Sequence, residues 1–178
     1  FIAELLADGS IDPWLGEHTR RVLDLCTGNG SLAVLAAMTY PDIAVDAADL
    51  STTALEVAAI NVTRHQLDDR ITLLESDGLA GVRGPYDLIL CNPPYVNEQS
   101  MTALPAEYRA EPELALAGGT DGMDFIRRLL AEAPACIGRL QHGHAADRFR
   151  DLRVEFAAQF ARARHGGRRQ ALVADDDQ

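Results

Sequence analysis

The apolar positions of this chain switch repeatedly between a two-residue period and a helical period. Short apolar runs predict four strands, at Arg21–Leu25, Ile43–Asp49, Ile71–Ser76 and Tyr86–Cys91. Apolar residues at helical spacing predict helices over Ser31–Met38, Ser51–His65 and Met123–Ala133. Strands that alternate with helices through short connections predict an α/β fold, a doubly wound sheet with right-handed crossovers.

Turn and cap residues divide these elements. Gly28-Asn29-Gly30 predicts a tight turn after the first strand, and Thr53-x-x-Glu56 predicts a capping box at the start of the second helix. Asn92-Pro93-Pro94-Tyr95 ends the fourth strand, because proline has no N–H to donate to a neighbouring strand. A long polar loop is predicted from there to about Gly122.

The pattern predicts three segments along the chain. Residues 1–20 begin like the middle of a helix and are expected to be the end of a linker or helix that starts upstream, and residues 21–136 form the α/β domain. Residues 137–178 differ, since eight of the 16 arginines lie between Arg139 and Arg169. Phenylalanine and leucine at helical spacing predict a helix over Ala145–Arg164, and a strand signal returns only at Ala171–Val173. A shifted reading frame is the alternative explanation of this tail.

Composition limits the functional classes. The formal net charge is -11, which disfavours broad nucleic-acid binding unless positive charge is strongly localised. All 16 basic residues are arginine. The three cysteines are widely spaced and form no CxxC pair, which argues against a zinc site or a disulfide framework. No apolar run approaches the roughly 20 residues that a membrane helix needs. We therefore expect a cytoplasmic protein without a metal and without a membrane span.

The first candidate site is the turn that begins with Asp24. Gly28 and Gly30 let the backbone approach a ligand closely, because glycine has no Cβ and accepts a positive φ. A nucleotide-binding fingerprint would place its third glycine at Ala33, which its variant form allows. Asp24 would repel a diphosphate but suits a cationic ligand. The alternative is an ordinary tight turn.

Two further acids follow the second and third strands. Asp49 stands about 20 residues past the turn, where an acid can hydrogen-bond both hydroxyls of a ribose. Its alternative role is to cap the next helix. Asp77 could accept a hydrogen bond from the amino group of adenine, and its alternative role is a solvated turn residue.

The most specific motif is Asn92-Pro93-Pro94-Tyr95, which directly follows an apolar strand. Two prolines stiffen the backbone, so the side-chain carbonyl of Asn92 and the backbone carbonyl of Pro93 can both accept from one planar NH2 group. Tyr95 can stack on that group. Two acceptors raise the electron density of a poorly nucleophilic amide nitrogen and aim it at a methyl donor.

Together these motifs resemble the class I methyltransferases that act on amino or amide nitrogen, and more closely the HemK/PrmB family of protein-glutamine methyltransferases. The similar stretch runs from about Arg21 to Ala133. The resemblance implies a seven-stranded Rossmann-like fold, S-adenosylmethionine as cofactor and a glutamine side chain as acceptor. It implies that the cofactor loop consists of Asp24, Cys26, Thr27, Gly28, Asn29 and Gly30. Asp49 would then bind the ribose, Asp77 and Gly78 would lie beside the adenine, and Asn92, Pro93, Pro94 and Tyr95 would hold the glutamine.

Residues beyond this motif resemble the PrmB branch: Val96-Asn97, Met101, Leu104-Pro105, Glu107-Tyr108-Arg109 and Glu111 to Leu116. That branch methylates the large-subunit ribosomal protein numbered three, whereas its sister branch methylates peptide-chain release factors. The family's N-terminal helical domain and its last strands have no counterpart here, so we expect a sheet that is incomplete at its C-terminal strands. Two alternatives stay open: a nucleic-acid methyltransferase acting on the amino group of adenine or cytosine, and an inactive, truncated domain.

Overall fold

The computed structural model describes residues 2–15, 17–102 and 116–137 of the chain. Its helices, in chain order, are α1 (Ile2–Ala7), a 3-10 helix (Asp12–Trp14), α2 (Ser31–Thr39), α3 (Thr52–Arg64), α4 (Glu98–Met101), α5 (Asp124–Glu132) and a second 3-10 helix (Ala133–Ala135). Its strands are β1 (Arg21–Leu25), β2 (Ala44–Asp49), β3 (Ile71–Glu75) and β4 (Leu88–Cys91).

The four strands form one parallel sheet in the order β3-β2-β1-β4. Leu25 at the end of β1 pairs with Ala48 of β2 on one side and with Cys91 of β4 on the other. The carboxyl ends of these three strands therefore reach the same edge of the sheet, where ligands bind in such folds. In the part of the chain that the structure describes, two isolated parallel bridges lie outside the strands, between Tyr86 and Ile137 and between Val96 and Ala117.

Both faces of the sheet are buried, as the alternation of strands and helices predicts. Side chains of β1 pack on both faces of the sheet, since Val22 belongs to one apolar cluster and Leu23 and Leu25 belong to the other. The first cluster includes Leu6 of α1 together with α2 and α3, and the second includes Phe125 and Leu129 of α5. The predicted doubly wound α/β sheet is confirmed.

Two local predictions are corrected. The capping box at Thr53 and Glu56 is wrong, because Ser51 caps α3: its backbone is extended and its hydroxyl accepts from the Ala54 N–H at 3.2 Å. Thr53 already lies inside the helix. The polar loop after Tyr95 contains the short helix α4, which begins where the side chain of Asn97 accepts from the Ser100 N–H at 2.8 Å. Four residues are too few to show a helical period.

The Arg-rich segment after Ile137 lies outside the described residues, and so do the helix predicted over Ala145–Arg164 and the strand predicted at Ala171–Val173. Residues 104–109 and 111–115 of the PrmB-like motifs also lie outside them. Among the helices that the structure describes, none is long and apolar enough to cross a membrane.

Candidate active site

The loop between β1 and α2 turns sharply at the carboxyl edge of the sheet. Cys26 has a φ of 58°, which is uncommon for a residue with a side chain. The N–H of Thr27 donates to the carbonyl of Ala48 in β2 at 3.0 Å, and the N–H of Gly30 donates to the carbonyl of Thr27 at 2.9 Å. The backbone of this loop is therefore fixed to the neighbouring strand.

Asp24 lies under this loop and is fully buried. Its Oδ2 accepts from the Thr27 hydroxyl at 2.5 Å and from the Ala33 N–H at 3.0 Å. Its Oδ1 is also buried but accepts no hydrogen bond from the described residues. Burial raises the pKa of the carboxyl to about 6. A buried oxygen without a donor is costly, so this position fits a ligand that brings a positively charged donor.

The two glycines of the loop have different surroundings. Both have a left-handed φ, which favours glycine. Apart from its neighbours in the chain, no described residue has an atom within 4 Å of a Cβ placed on Gly28, whereas a Cβ on Gly30 would lie 3.1 Å from the Cβ of Ala58 in α3. Among the described residues, Gly28 therefore leaves space where a ligand can approach the backbone, and Gly30 packs closely against α3.

Asp49, at the end of β2, uses both carboxylate oxygens. Its Oδ2 accepts from the Gly28 N–H at 2.8 Å, and its Oδ1 accepts from the Ser51 N–H at 2.9 Å. It therefore supports the loop and the start of α3 together.

Asn29 acts within the loop after β1, since its Oδ1 accepts from the Ser31 N–H at 3.1 Å and from the Ser31 hydroxyl at 2.6 Å.

Asp77 and Gly78 follow β3 at the same edge of the sheet. The hydroxyl of Ser76 donates to the Gly78 carbonyl at 2.7 Å and accepts from the Gly81 N–H at 2.9 Å, which shapes this loop. Asp77 is exposed, and its Oδ1 accepts from Arg128 of α5 at 2.5 Å. This hydrogen bond lowers the pKa of Asp77. Sequence reasoning missed Arg128, because it belongs to no motif of the loop.

Asn92, Pro93, Pro94 and Tyr95 leave β4 beside the loop that leaves β1, since Cys91 pairs with Leu25. Pro93 is buried, while Asn92 is exposed and its amide makes no hydrogen bond with any residue in the described ranges. Tyr95 is 52% exposed. The prolines thus anchor a segment whose polar and aromatic side chains remain accessible to a ligand.

A glycine-containing turn over residues 118–122 packs against the backbone of Tyr95. The Val96 N–H donates to the Leu116 carbonyl at 2.8 Å, and the Gly118 N–H donates to the Val96 carbonyl at 2.8 Å. A Cβ on Gly118 would lie 2.8 Å from the Tyr95 Cα, and a Cβ on Gly122 would press on the Tyr95 carbonyl oxygen. The sequence signal for this contact, two glycine positions in a polar loop, is too general to reveal it.

The family described as Methyltransferase small domain matches residues 9–108, which include β1 to β4 and every site residue predicted from the sequence. The chain belongs to this family. The methyltransferase domain thus contains the Asp24 loop, Asp49, Asp77 and the Asn92 segment along one edge of its sheet.

Curated relatives support a narrower resemblance. The domain is 51% identical to the ribosomal protein uL3 glutamine methyltransferase of Bordetella pertussis, over 83% of this chain and 52% of that protein. It is 47% identical to the protein of the same name from Neisseria gonorrhoeae, over 83% of this chain and 51% of that protein. The predicted resemblance to the PrmB branch is confirmed. The chain spans about half the length of these relatives.

Solved structures support the fold of the methyltransferase domain. The hMettl16 catalytic domain, solved with the MAT2A 3'UTR hairpin 6, has a TM-score of 0.56 at 18% identity, over 75% of this chain and 51% of that one. The ribosomal protein L11 methylase of Lactobacillus delbrueckii subsp. bulgaricus has a TM-score of 0.50 at 21% identity, over 77% and 53%. At these identities the likeness concerns the class I methyltransferase fold alone.

Proposed function

We propose that this chain contains the catalytic domain of an S-adenosylmethionine-dependent methyltransferase that modifies a glutamine side chain of a large-subunit ribosomal protein. One observation carries the proposal. The Asp24 loop and the Asn92 segment leave adjacent parallel strands at the same level, since Leu25 pairs with Cys91. A methyl donor bound by the first and an acceptor amide bound by the second would lie side by side.

The chemistry of the first loop fits S-adenosylmethionine. The buried Oδ1 of Asp24 lacks a donor among the described residues, and the ammonium group of the cofactor's methionine part is such a donor. Gly28 faces open space, and Asp49 has lone pairs left for ribose hydroxyls. The cofactor supplies an electrophilic methyl group on a cationic sulfur. The protein's part is to orient it and to exclude diphosphate ligands through the charge of Asp24.

The chemistry of the second segment fits an amide acceptor. An amide NH2 has two hydrogens, and Asn92 and the backbone carbonyl of Pro93 offer one acceptor each. Bonding both hydrogens localises the nitrogen lone pair and sets its direction. Tyr95 is exposed enough to stack on the planar amide. The next residue, Val96, is hydrogen-bonded to the backbone of Leu116 and Gly118, which limits how far this segment can move.

Charge favours a protein partner over a bare nucleic acid. The chain has a formal net charge of -11, which repels phosphates and attracts basic proteins. A ribosomal protein that binds RNA carries positive charge. The names of the curated relatives, which specify uL3, support the same class of substrate. Such a reaction would take place in the cytoplasm, with peptide-chain release factors as the less favoured substrates.

The experiment that tests the proposal measures transfer of tritiated methyl groups to ribosomal protein uL3, to variants of it with single Gln→Ala changes, and to adenine-containing DNA. Asn92→Ala should reduce transfer to uL3 by roughly 100- to 1000-fold, because an acceptor aimed at the reacting group is lost. Its affinity for S-adenosylmethionine should stay within about twofold, since Asn92 belongs to the acceptor segment.

A matched control is Asn97→Ala, which removes the cap of α4 but no proposed acceptor. It should retain most of the transfer. Incorporation into DNA, or equal incorporation into every Gln→Ala variant, would contradict the glutamine assignment. Cofactor binding without transfer to any substrate would instead indicate an inactive domain.

A further inference from the structure

Arg128 of α5 forms an ion pair across the edge of the sheet with Asp77, which follows β3. Its Nη2 lies 2.5 Å from the Asp77 Oδ1. The carbon of the guanidinium group also lies 5.2 Å from the centre of the Phe125 ring, one turn earlier on the same helix. These two contacts hold the guanidinium group against the loop that contains Asp77 and Gly78.

The ion pair contributes little to the stability of the fold. The side chains of Arg128 and Asp77 are 41% and 60% exposed. Exposed ion pairs typically stabilise a protein by about 0–1 kcal/mol, because water screens the charges and two long side chains lose freedom. Stability alone therefore does not explain why the loop is shaped around this arginine.

Gly78 provides the space that Arg128 occupies. Its φ is +58°, and a Cβ added there would lie 2.6 Å from the Arg128 Nη2 and 3.2 Å from its Cζ. A side chain at this position would require the guanidinium group of Arg128 to move from where it lies. Asp77 thus accepts a hydrogen bond from Arg128, and the guanidinium group lies against the backbone of Gly78.

The pairing leaves one oxygen of Asp77 available. Arg128 occupies Oδ1, and no residue of the described ranges donates to Oδ2. The hydrogen bond from Arg128 lowers the pKa of Asp77, so the carboxylate is ionised at neutral pH. A carboxylate held through one oxygen presents the other in a fixed direction.

We propose that Arg128 is a positioning residue that orients Asp77 so that Oδ2 accepts a hydrogen bond from the exocyclic amino group of adenine. The inference rests on the proposed S-adenosylmethionine site. It makes the Asp77–Arg128 pair the element that distinguishes a 6-aminopurine from a 6-oxopurine. A 6-oxopurine presents an acceptor where adenine presents a donor, so it faces the carboxylate without a hydrogen bond.

The test is titration calorimetry of the full chain with S-adenosylhomocysteine and with S-inosylhomocysteine, its 6-oxo counterpart. The wild type should prefer the adenosyl ligand at least tenfold, or about 1.4 kcal/mol. Arg128→Ala should lose most of this preference through weaker binding of the adenosyl ligand, with the inosyl ligand nearly unaffected. Arg128→Lys should restore part of it, because the charge remains but the planar fork does not.

The matched control is Arg127→Ala. Arg127 lies on the same helix and carries the same charge, but it pairs with Asp121 and Asp124. This variant should keep the wild-type preference, and all variants should melt within a few degrees of the wild type. An unchanged preference in Arg128→Ala, or an equal loss in Arg127→Ala, would overturn the inference alone. Failure of the wild type to bind either ligand would overturn the proposed function as well.

Discussion

Asp49 at the end of β2 holds Gly28 in the neighbouring loop through a hydrogen bond of 2.8 Å from the Gly28 N–H to its Oδ2. The same carboxylate accepts from the Ser51 N–H at the start of α3 through Oδ1. Asp49 therefore supports both the loop after β1 and the start of α3, where Ser51 and not Asp49 is the cap, and ribose binding stays a prediction. The charge that is proposed to bind the cofactor also keeps its loop in shape.

Asp49→Ala should therefore weaken cofactor binding and lower the melting temperature together. Two backbone N–H groups lose their acceptor, at a cost of roughly 1–3 kcal/mol for each group that stays out of contact with water. Calorimetry with S-adenosylhomocysteine and thermal denaturation without ligand measure the two effects separately.

Ser51→Ala is the control: it removes the cap of α3, worth about 1 kcal/mol, without touching Gly28. It should lower the melting temperature but leave the affinity unchanged. Equal affinities of wild type and Asp49→Ala would show that Asp49 acts only in folding.

Gly28→Ala and Gly30→Ala should separate binding from folding within one loop. The two positions share a left-handed φ, so each substitution introduces about 1 kcal/mol or more of backbone strain. A Cβ on Gly28 faces open space, and that space is proposed to hold the cofactor. Gly28→Ala should therefore reduce the affinity at least tenfold, about 1.4 kcal/mol, and should reduce it further when valine replaces alanine.

Gly30→Ala should lower the stability of the fold more than the affinity for the cofactor. The added Cβ would lie 3.1 Å from the Ala58 Cβ and press α2 and α3 apart. Its melting temperature should fall further than that of Gly28→Ala. Calorimetry and thermal denaturation of both variants measure this. A larger loss of affinity in Gly30→Ala than in Gly28→Ala would contradict the assignment of Gly28 to the ligand side.

The parts of the candidate site that are local in the chain could be placed from the sequence. Asp24, Asp49 and Asn92 each belong to the last residues of an apolar strand or directly follow one, and parallel strands bring such positions to one edge. Arg128 could not be found in this way, because it meets Asp77 across 51 positions of the chain and only through the packing of α5. The cap of α3 was misplaced by two residues, since serine and threonine at positions 51–53 offer equivalent local signals.

The stability of the ligand-free protein should fall as the pH rises from about 4 to about 7. Burial raises the pKa of Asp24 to about 6, from 3.8 in the unfolded chain. Between these values the folded protein binds a proton that the unfolded chain has released, so the free energy of unfolding decreases with pH. The effect is on the order of 3 kcal/mol for a shift of this size. Asp24→Asn removes the titrating group, so urea denaturation should show the wild type losing stability relative to this variant across the window.

The same titration predicts a pH dependence of binding. If Oδ1 of Asp24 receives the ammonium group of the cofactor, the ionised form binds it better. Affinity of the wild type should increase as the pH rises through about 6, and binding near this pH should release protons. Asp24→Asn should bind more weakly at neutral pH and show a flatter profile. Parallel profiles for the two proteins would exclude a charge on Asp24 from the cofactor site.

Gly122→Ala should impair methyl transfer without affecting the cofactor. Gly122 has a φ of +78°, and a Cβ there would press on the Tyr95 carbonyl oxygen and lie 3.2 Å from its carbonyl carbon. The substitution must displace Tyr95 or the turn over residues 118–122, which moves the acceptor segment away from its position. A displacement of about 1 Å at a reacting group can reduce the rate roughly 100-fold. Transfer to uL3 should fall accordingly, while calorimetry with S-adenosylhomocysteine should give the wild-type affinity.

Gly9→Ala provides the comparison, because Gly9 also has a left-handed φ but the atoms nearest to its Cβ would belong to the side chain of Asp12, far along the chain from Tyr95. The two variants should share the strain of a left-handed backbone, and only Gly122→Ala should lose transfer. Equal transfer by both would show that the turn is not what positions Tyr95. Weaker cofactor binding in Gly122→Ala would mean that the turn supports the first loop as well, so that donor and acceptor positions could not be altered independently.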